Sequence, residues 1–316
     1  MRVALSGKKL VIGVDGGGTK TNGVLMEEGG RILAKTSVGS TNPHSNPEAK
    51  VREALHTLVD TLLHDGNAKL ENVDGICMGM AGADRPADRG FLERIMREKI
   101  GDTLKLIIVN DAVVAMVAVL GRLDGILVIA GTGSICYAFN AEKGESTRAG
   151  GWGHLLADEG SGYAIGLAAL KAIMRAFDQR TAPTSLTDRV LKELKLSAPP
   201  DLVGWIYMSG NGKTEIAALS RIVHEEAANG DEIAAKILAE QADELIDIVK
   251  AVYKRLFAGR KGEVKLALWG GNLVNAERYQ KRFIDEIKAT GFPVTPVISH
   301  DAEAMVGAAQ HALNNL

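Results

Sequence analysis

Apolar and polar positions fall into alternating blocks along the first part of the chain. "KLVIGVDGGG", "TNGVLMEE" and "RILAKTS" are short apolar runs, "NPEAKVREALHTLVDTLLHDG" carries apolar residues at three- and four-residue spacing, and "VDGICMGMAG" and "LKLIIVNDA" return to short runs. The first kind of block fits buried strands bounded by turn residues, the second a helix with one apolar stripe. The predicted order is three strands in a meander, then helix, strand, helix and strand, an α/β unit with a mixed sheet. The opening pattern then recurs in "DGILVIAGTGSICYAFN", where a small-residue turn (Gly131, Thr132, Gly133, Ser134) again separates two apolar strands. One device used at the head of each half predicts a duplicated α/β unit with a ligand held in a cleft between the halves.

The second half continues with a long helical region, from "SGYAIGLAALKAIMRAF" through "TEIAALSRIVHEEAANGDEIAAKILAEQADELIDIVKAVYKRLFAG", read as structural packing. A strand and glycine pair, "VKLALWGGN", precede a helix and then "PVTPVISHDAEAMVGAAQHAL". The small residues Ala302, Ala304, Gly307, Ala308 and Ala309 suit that last helix to close packing on another element. The domain boundary is expected within "AVVAMVAVLG", giving residues 1–116 and 117–316, with the last helix packing back on the first domain. No Pro- or Ser-rich linker marks it, which fits a hinge better than a tether.

Composition narrows the function. The chain has 316 residues, 24% of them charged, and a formal net charge of −2. It carries no basic footprint for nucleic acid and no single-sign field for a membrane surface. No segment approaches the length of a membrane span and the N-terminal stretch lacks a signal-peptide core, so the expected location is the cytoplasm. Cys77 and Cys136 each sit inside an apolar run and are read as reduced, buried thiols.

Candidate chemistry begins at "VIGVDGGGTKTNGVLM". Three glycines inside a hydrophobic segment are kept where backbone must approach something closely. The P-loop spacing fails because Thr19 precedes Lys20 and an apolar, β-prone run follows; the dinucleotide spacing fails because Gly16, Gly17 and Gly18 do not supply its frame. What remains is a hairpin that can aim backbone N–H groups and the Thr19 and Thr21 hydroxyls at an anion, with Asp15 placed to hold a cation; an ordinary glycine turn fits as well. Asp111 ends the run "LKLIIVND", at the carboxyl end of a strand where open α/β sheets bind ligands. It could accept a proton from an alcohol, or cap the helix that follows. "GGWGHLLADEGSGYAIG" surrounds Trp152 with glycines and brings up Asp158, Glu159 and Ser161, either a backbone-lined polar ligand loop or a Trp anchoring a turn with Asp158 or Ser161 as helix cap. Gly270 and Gly271 could admit a flat ring or a phosphate, and "STNPHSNP" offers Asn42 beside a rigid proline.

Taken in order, these segments resemble the sugar kinase, Hsp70 and actin ATPase superfamily, and within it the N-acetylglucosamine kinase branch, which is similar to the BadF/BadG/BcrA/BcrD ATPase group. The resemblance spans essentially the whole chain and rests on "GVDGGGTKT", "STN", "GMAGADRP", "VNDA", "IAGTGS", "GGWGHLLADEGSGYAIG" and "WGGN". It implies two actin-like (ribonuclease H-like) α/β domains with mixed β-sheets around an inter-domain cleft, and a helical insertion in the second. It implies transfer of the γ-phosphate of ATP to the 6-hydroxyl of an amino sugar with Mg²⁺, no nucleic-acid or membrane partner, and a homodimer. Asp111 would be the base and Asp15 would help position Mg²⁺. Gly16, Gly17, Gly18, Thr19, Lys20, Gly131, Thr132, Gly133 and Ser134 would surround the phosphates, with Gly270 and Gly271 facing the adenine. Asn42, Asp111, Gly151, Trp152 and Asp158 would hold the sugar, and closure would exclude water. Pro43 and His44 follow Asn42 where some animal members carry an aromatic, which leaves N-acetylglucosamine, glucosamine and N-acetylmuramic acid as acceptors. A rival member of the superfamily, an ATP-driven activator of a radical dehydratase or reductase, needs more thiols for an iron–sulfur cluster than two strand-borne cysteines supply. A sugar-sensing protein without turnover would not require Asp111.

Overall fold

The computed structural model describes residues 7–83, 85–208, 210 and 212–316. The chain divides into two compact units, Met1–Leu123 with Ser299–Leu316, and Asp124–Ile298. The expected break at residue 116 would cut through a helix, Asp111–Leu120; the division falls after that helix.

The first unit is built from β1 (Leu10–Gly16), β2 (Lys20–Glu27), β3 (Ile32–Gly39), α1 (Glu48–Asp65), β4 (Gly75–Met80), α2 (Pro86–Ile100), β5 (Lys105–Asn110) and α3 (Asp111–Leu120), and is joined by the last helix of the chain, Ala304–Asn314. Its sheet has the order β3-β2-β1-β4-β5, with β1 antiparallel to β2 and parallel to β4, and β4 parallel to β5. β1 and β4 are buried along nearly their whole length because elements cover both sheet faces, which explains their unbroken apolar runs. Val51, Leu55, Leu58, Val59 and Leu62 form the inward stripe of α1. The small residues of the last helix permit the close approach expected of them: a Cβ on Gly307 would lie 2.1 Å from the Val114 carbonyl oxygen.

The second unit contains β6 (Gly125–Ala130), β7 (Ser134–Asn140), β8 (Glu145–Gly150), α4 (Gly162–Phe177), α5 (Leu186–Leu194), α6 (Asp201–Tyr207), α7 (Lys213–Ala218), α8 (Ser220–Ala228), α9 (Glu232–Leu256), β9 (Val264–Trp269), α10 (Gly271–Val274), α11 (Glu277–Ala289) and β10 (Val294–Ile298). The last helix of the chain is α12. The second sheet runs β8-β7-β6-β9-β10, with β6 antiparallel to β7 and parallel to β9, and β9 parallel to β10. Strand for strand this is the topology of the first unit, so the repeated hairpin does mark a duplicated α/β unit. Two edge strands went unread: β8 is too polar ("ESTRAG") and β10 carries Pro296, a residue that breaks a strand pattern and is tolerated at an edge. The second core lies between this sheet and α4, α8 and α9, with Leu170, Ile173, Leu245, Val249 and Phe257 among its buried side chains.

Candidate functional site

In the first unit, Gly16 pairs with Met80 and Met80 with Asn110, so the carboxyl ends of β1, β4 and β5 lie at one edge of the sheet. The first glycine turn, the segment after β4 and Asp111 all start from that edge. This is the edge at which parallel α/β sheets take ligands.

The strand ends at Asn110, and Asp111 is the first residue of α3 rather than the last of β5. Capping, one of the two roles open to Asp111, belongs chiefly to Asn110, whose Oδ1 accepts from the Ala112 N–H at 2.8 Å from its N-cap position; Asp111 Oδ1 accepts from the same N–H at 3.0 Å. Asp15 is half-buried, and that burial pushes its carboxyl above its ordinary value, against the Asn22 hydrogen bond and the Lys20 charge, which pull it down. Gly17 N–H donates to the Lys20 carbonyl at 2.9 Å, closing the turn, while Gly18, Thr19 and Lys20 are exposed. Thr21 does not turn its hydroxyl toward an anion. It is buried, its Oγ1 2.7 Å from that of Thr41, a bond that ties the "STN" segment to β2. Asn42 Oδ1 accepts from the His44 N–H at 2.9 Å, and His44 Nε2 lies 3.3 Å from Asp88. Asp84 of "GMAGADRP" lies outside the described residues.

In the second unit the same edge is formed by β6 and β9, whose residues Ile129 and Trp269 pair. Gly270, at φ +92°, lies so close to β6 that a Cβ would stand 2.5 Å from the Ala130 oxygen and 2.9 Å from the Gly131 nitrogen; only glycine fits. The second turn is held from α4, where Gly162 N–H donates to the Gly131 carbonyl at 2.8 Å and Tyr163 N–H to the Thr132 carbonyl at 3.2 Å. Ser134 Oγ donates to the Glu159 carbonyl at 2.6 Å. Of the two caps considered for α4, the structure uses Ser161, whose side chain accepts from Ala164 N–H. Asp158 is instead buried, 3% exposed, at φ +66°. Its Oδ1 accepts from Ser134 N–H at 3.3 Å and its Oδ2 lies 2.5 Å from the Lys213 ammonium. Lys213 was not anticipated; the available signal was the run Gly212-Lys213-Thr214 at a helix start.

Gly151, at φ +68°, packs on Ile135. Trp152 anchors nothing in the core: the residue is 59% exposed, with the Arg148 guanidinium 4.3 Å from its ring centre, and Leu155 and Leu156 near it in sequence are exposed as well. The His154 ring meets Tyr163 edge-on at 4.9 Å.

Beyond the second turn, Gly271, Asn272, Asn275, Ser220 and His224 line a cavity of about 290 Å³. Asn272 Nδ2 is buried without a hydrogen-bond partner, while Asn272 Oδ1 lies 3.3 Å from His224 Nε2. Burial pushes the His224 pKa down, keeping that ring neutral. A buried donor left unpaired beside a cavity fits a ligand that brings an acceptor, as the ring nitrogens of a purine do.

The sequence model of the BadF/BadG/BcrA/BcrD ATPase family matches residues 12–312. The chain belongs to that family. Among curated members of similar sequence, an N-acetylmuramic acid/N-acetylglucosamine kinase of Clostridium acetobutylicum is 39% identical over 95% of this chain and 97% of its own. An N-acetyl-D-glucosamine kinase of Dictyostelium discoideum is 35% identical over 98% of this chain and 99% of its own. A solved structure from Chromobacterium violaceum, named a candidate N-acetylglucosamine kinase, shares the fold with a TM-score of 0.74 at 23% identity, covering 95% of this chain and 98% of that one. The two mixed five-stranded sheets are those of the actin-like ATPase and sugar kinase fold.

Two further observations bear on this BadF/BadG/BcrA/BcrD family member. Cys77 and Cys136 are free and fully buried, and burial lifts the Cys77 thiol to about 12, so neither is a reactive thiolate. Among the described residues no helix is long and apolar enough to cross a membrane.

Proposed function

We propose that this protein is an ATP-dependent kinase that transfers the γ-phosphate to the 6-hydroxyl of an amino sugar, with N-acetylglucosamine as the first candidate acceptor. The observation that carries the reading is the carboxylate of Asp111, placed at the carboxyl edge of β1, β4 and β5 together with Asp15 and the first glycine turn, in a chain whose full-length relatives are named amino-sugar kinases. Phosphoryl transfer asks a protein for positioning and charge neutralisation more than for covalent chemistry. Asp111 would orient the hydroxyl and accept its proton as the phosphorus–oxygen bond forms. In the first unit, Gly16 and Gly17 shape the turn, and the exposed Gly18, Thr19 and Lys20 would bring backbone N–H groups and a cation to the phosphates. In the second, the turn of Gly131, Thr132, Gly133 and Ser134 would offer the Thr132 and Gly133 N–H groups, the Gly131 and Ser134 N–H groups being spent on the Gly133 carbonyl and on Asp158, with Gly270 and Gly271 toward the base.

Asn42, Gly151 and Trp152, with Asp111, are proposed for the sugar. Asp158 was expected to join them, but its carboxylate is engaged by Lys213 and Ser134 N–H and would have to exchange those partners first.

ATP fits the second unit through the unpaired Asn272 Nδ2 and the cavity beside it. Mg²⁺, when bound, would neutralise charge on the phosphates. Among the described residues no group of three or more His, Cys, Asp or Glu could hold a metal. Asp15 alone fits the habit of Mg²⁺, which takes one or two carboxylates and draws its other ligands from phosphate and water. The family resemblance also supports a cytoplasmic homodimer.

The test is Mg·ATP-dependent ADP release with N-acetylglucosamine, N-acetylmuramic acid, glucosamine, N-acetylmannosamine, glucose and no sugar. Turnover with one amino sugar that collapses in Asp111→Asn supports the proposal. Slow ADP release indifferent both to sugar and to the substitution refutes it.

A further inference from the structure

The chain leaves β3 through Ser40, Thr41 and Asn42, and this segment is fastened to the first glycine turn at two points. Thr41 is fully buried, its Oγ1 2.7 Å from that of Thr21, which is fully buried too. Thr21 pairs across the hairpin with Gly16, and a Cβ on Gly16 would lie 3.1 Å from Thr41 Oγ1. The Thr41 hydroxyl therefore sits at the root of the turn, against both of its arms. Ser40 makes the second fastening, its Oγ donating to the Gly17 carbonyl at 3.3 Å.

A hydroxyl has one donor and two acceptor positions, and Ser40 uses all three. Its Oγ also accepts from the Asn42 N–H at 3.3 Å and from Asn46 Nδ2 at 3.1 Å, and Asn46 Nδ2 donates as well to the Asn42 carbonyl at 3.2 Å. The main chain of Asn42 is thus held at its N–H and at its C=O. Its side chain is held too, Oδ1 accepting from the His44 N–H, which leaves the Nδ2 donor for a sugar oxygen. Packing alone would not call for hydroxyls at positions 21 and 41, since apolar groups of the same shape fill such a space without polar atoms to satisfy. What the hydroxyl pair adds is direction, a set distance and angle between the segment and the turn.

Resting on the kinase reading above, we propose that Thr41 is a positioning residue for phosphoryl transfer. Together with Ser40 it locks the Asn42 amide to the turn that meets the phosphates, so that the acceptor hydroxyl stays aligned with the phosphorus it attacks. Both hydroxyls act through Asn42 and on the reacting distance. A displacement of about 1 Å between reacting groups can cost about a hundredfold in rate.

The experiment measures Tm, kcat and the KM values for ATP and sugar in the wild type, Thr41→Val, Thr21→Val/Thr41→Val, Thr41→Ser and Ser40→Ala. Thr41→Val leaves the Thr21 hydroxyl buried without its partner and should lower Tm and kcat together. The double variant replaces both partners by apolar groups of the same shape, a change that is nearly neutral for stability. Its Tm should return close to the wild-type value while kcat stays at least tenfold down and the KM for ATP remains within threefold. Thr41→Ser keeps the hydroxyl and should recover most of kcat. Ser40→Ala, at a half-buried position, should lower kcat several-fold. A purely structural role would restore kcat along with Tm, so a double variant that turns over at the wild-type rate overturns the assignment and leaves the kinase reading standing. Should that variant not fold, an unchanged kcat in Ser40→Ala does the same. A wild type that phosphorylates no sugar of the panel above overturns the kinase reading and this assignment with it.

Discussion

The two glycine turns occupy equivalent places in sheets of the same topology, yet they are supported differently. In the first, the carboxylate and the cation come from the turn's own sequence, Asp15 and Lys20, and the tip is open: a Cβ on Gly18 would meet nothing within 4 Å. In the second, the carboxylate and the cation come from distant segments, Asp158 and Lys213, and the turn is held by two N–H groups at the start of α4. The first is an exposed loop beside a half-buried acid, suited to take up a metal-bound phosphate. The second is a preset cradle, its hydrogen bonds and ion pair made before a ligand arrives. On the proposed kinase reading, the duplicated topology would carry a division of labour, with acid–base chemistry at one edge and nucleotide grip at the other.

The largest effect that could break this comparison is on turnover. Asp111→Asn should lower kcat by about 10³, within the range a positioned general base supplies, with the KM for ATP little changed. A variant that kept its kcat and lost ATP affinity instead would move the chemistry away from the first unit. Next in size is Gly270→Ala. A Cβ there collides with backbone, 2.5 Å from the Ala130 oxygen, in a conformation a side chain resists, and a cost of about 2–4 kcal/mol is expected. Thermal denaturation should show a marked fall in Tm. An unchanged Tm would mean that β6 and β9 do not approach as described.

These residues also show what sequence could and could not reveal. Asp15, the glycines and Lys20 lie within six consecutive positions, so their proximity follows from the hairpin itself. Asp111 was legible because a strand followed by a helix fixes where its carboxyl end lies, although the cap on that helix proved to be chiefly Asn110. Asp158 and Lys213 are 55 positions apart, and no local pattern states that an acid in one loop will meet a lysine in another. The strands β8 and β10 escaped for a related reason. Edge strands need only part of the apolar content that a central strand requires, and "ESTRAG" has almost none.

A smaller effect sharpens the contrast between preset and open turns. Gly133→Ala should disturb the Lys213–Asp158 pair, lowering Tm by a few degrees and raising the KM for ATP about tenfold. Gly18→Ala should leave Tm unchanged, because its Cβ has free space, and affect only nucleotide binding. Equal loss of Tm in both would erase the distinction between the turns.

The smallest effect is on stability as a function of pH, and it concerns Asp15. Because burial lifts its titration above the ordinary carboxylate value of 3.8, the fold binds that proton more tightly than the unfolded chain does. Its contribution to stability is therefore fully present below the unfolded value and is lost as pH rises through the raised one. At neutral pH, burial therefore makes the ionised carboxylate cost stability relative to its protonated form in the ligand-free protein. Asp15→Asn should then be slightly more stable than the wild type at pH 7, and the two Tm values should converge as the pH falls toward 3.8. Adding Mg·ATP should reverse the order at pH 7, since only the wild type has a carboxylate to offer the metal. A variant less stable than the wild type at neutral pH without ligand would show that Asp15 is stabilised as an anion by the fold itself. The first turn would then be as preset as the second.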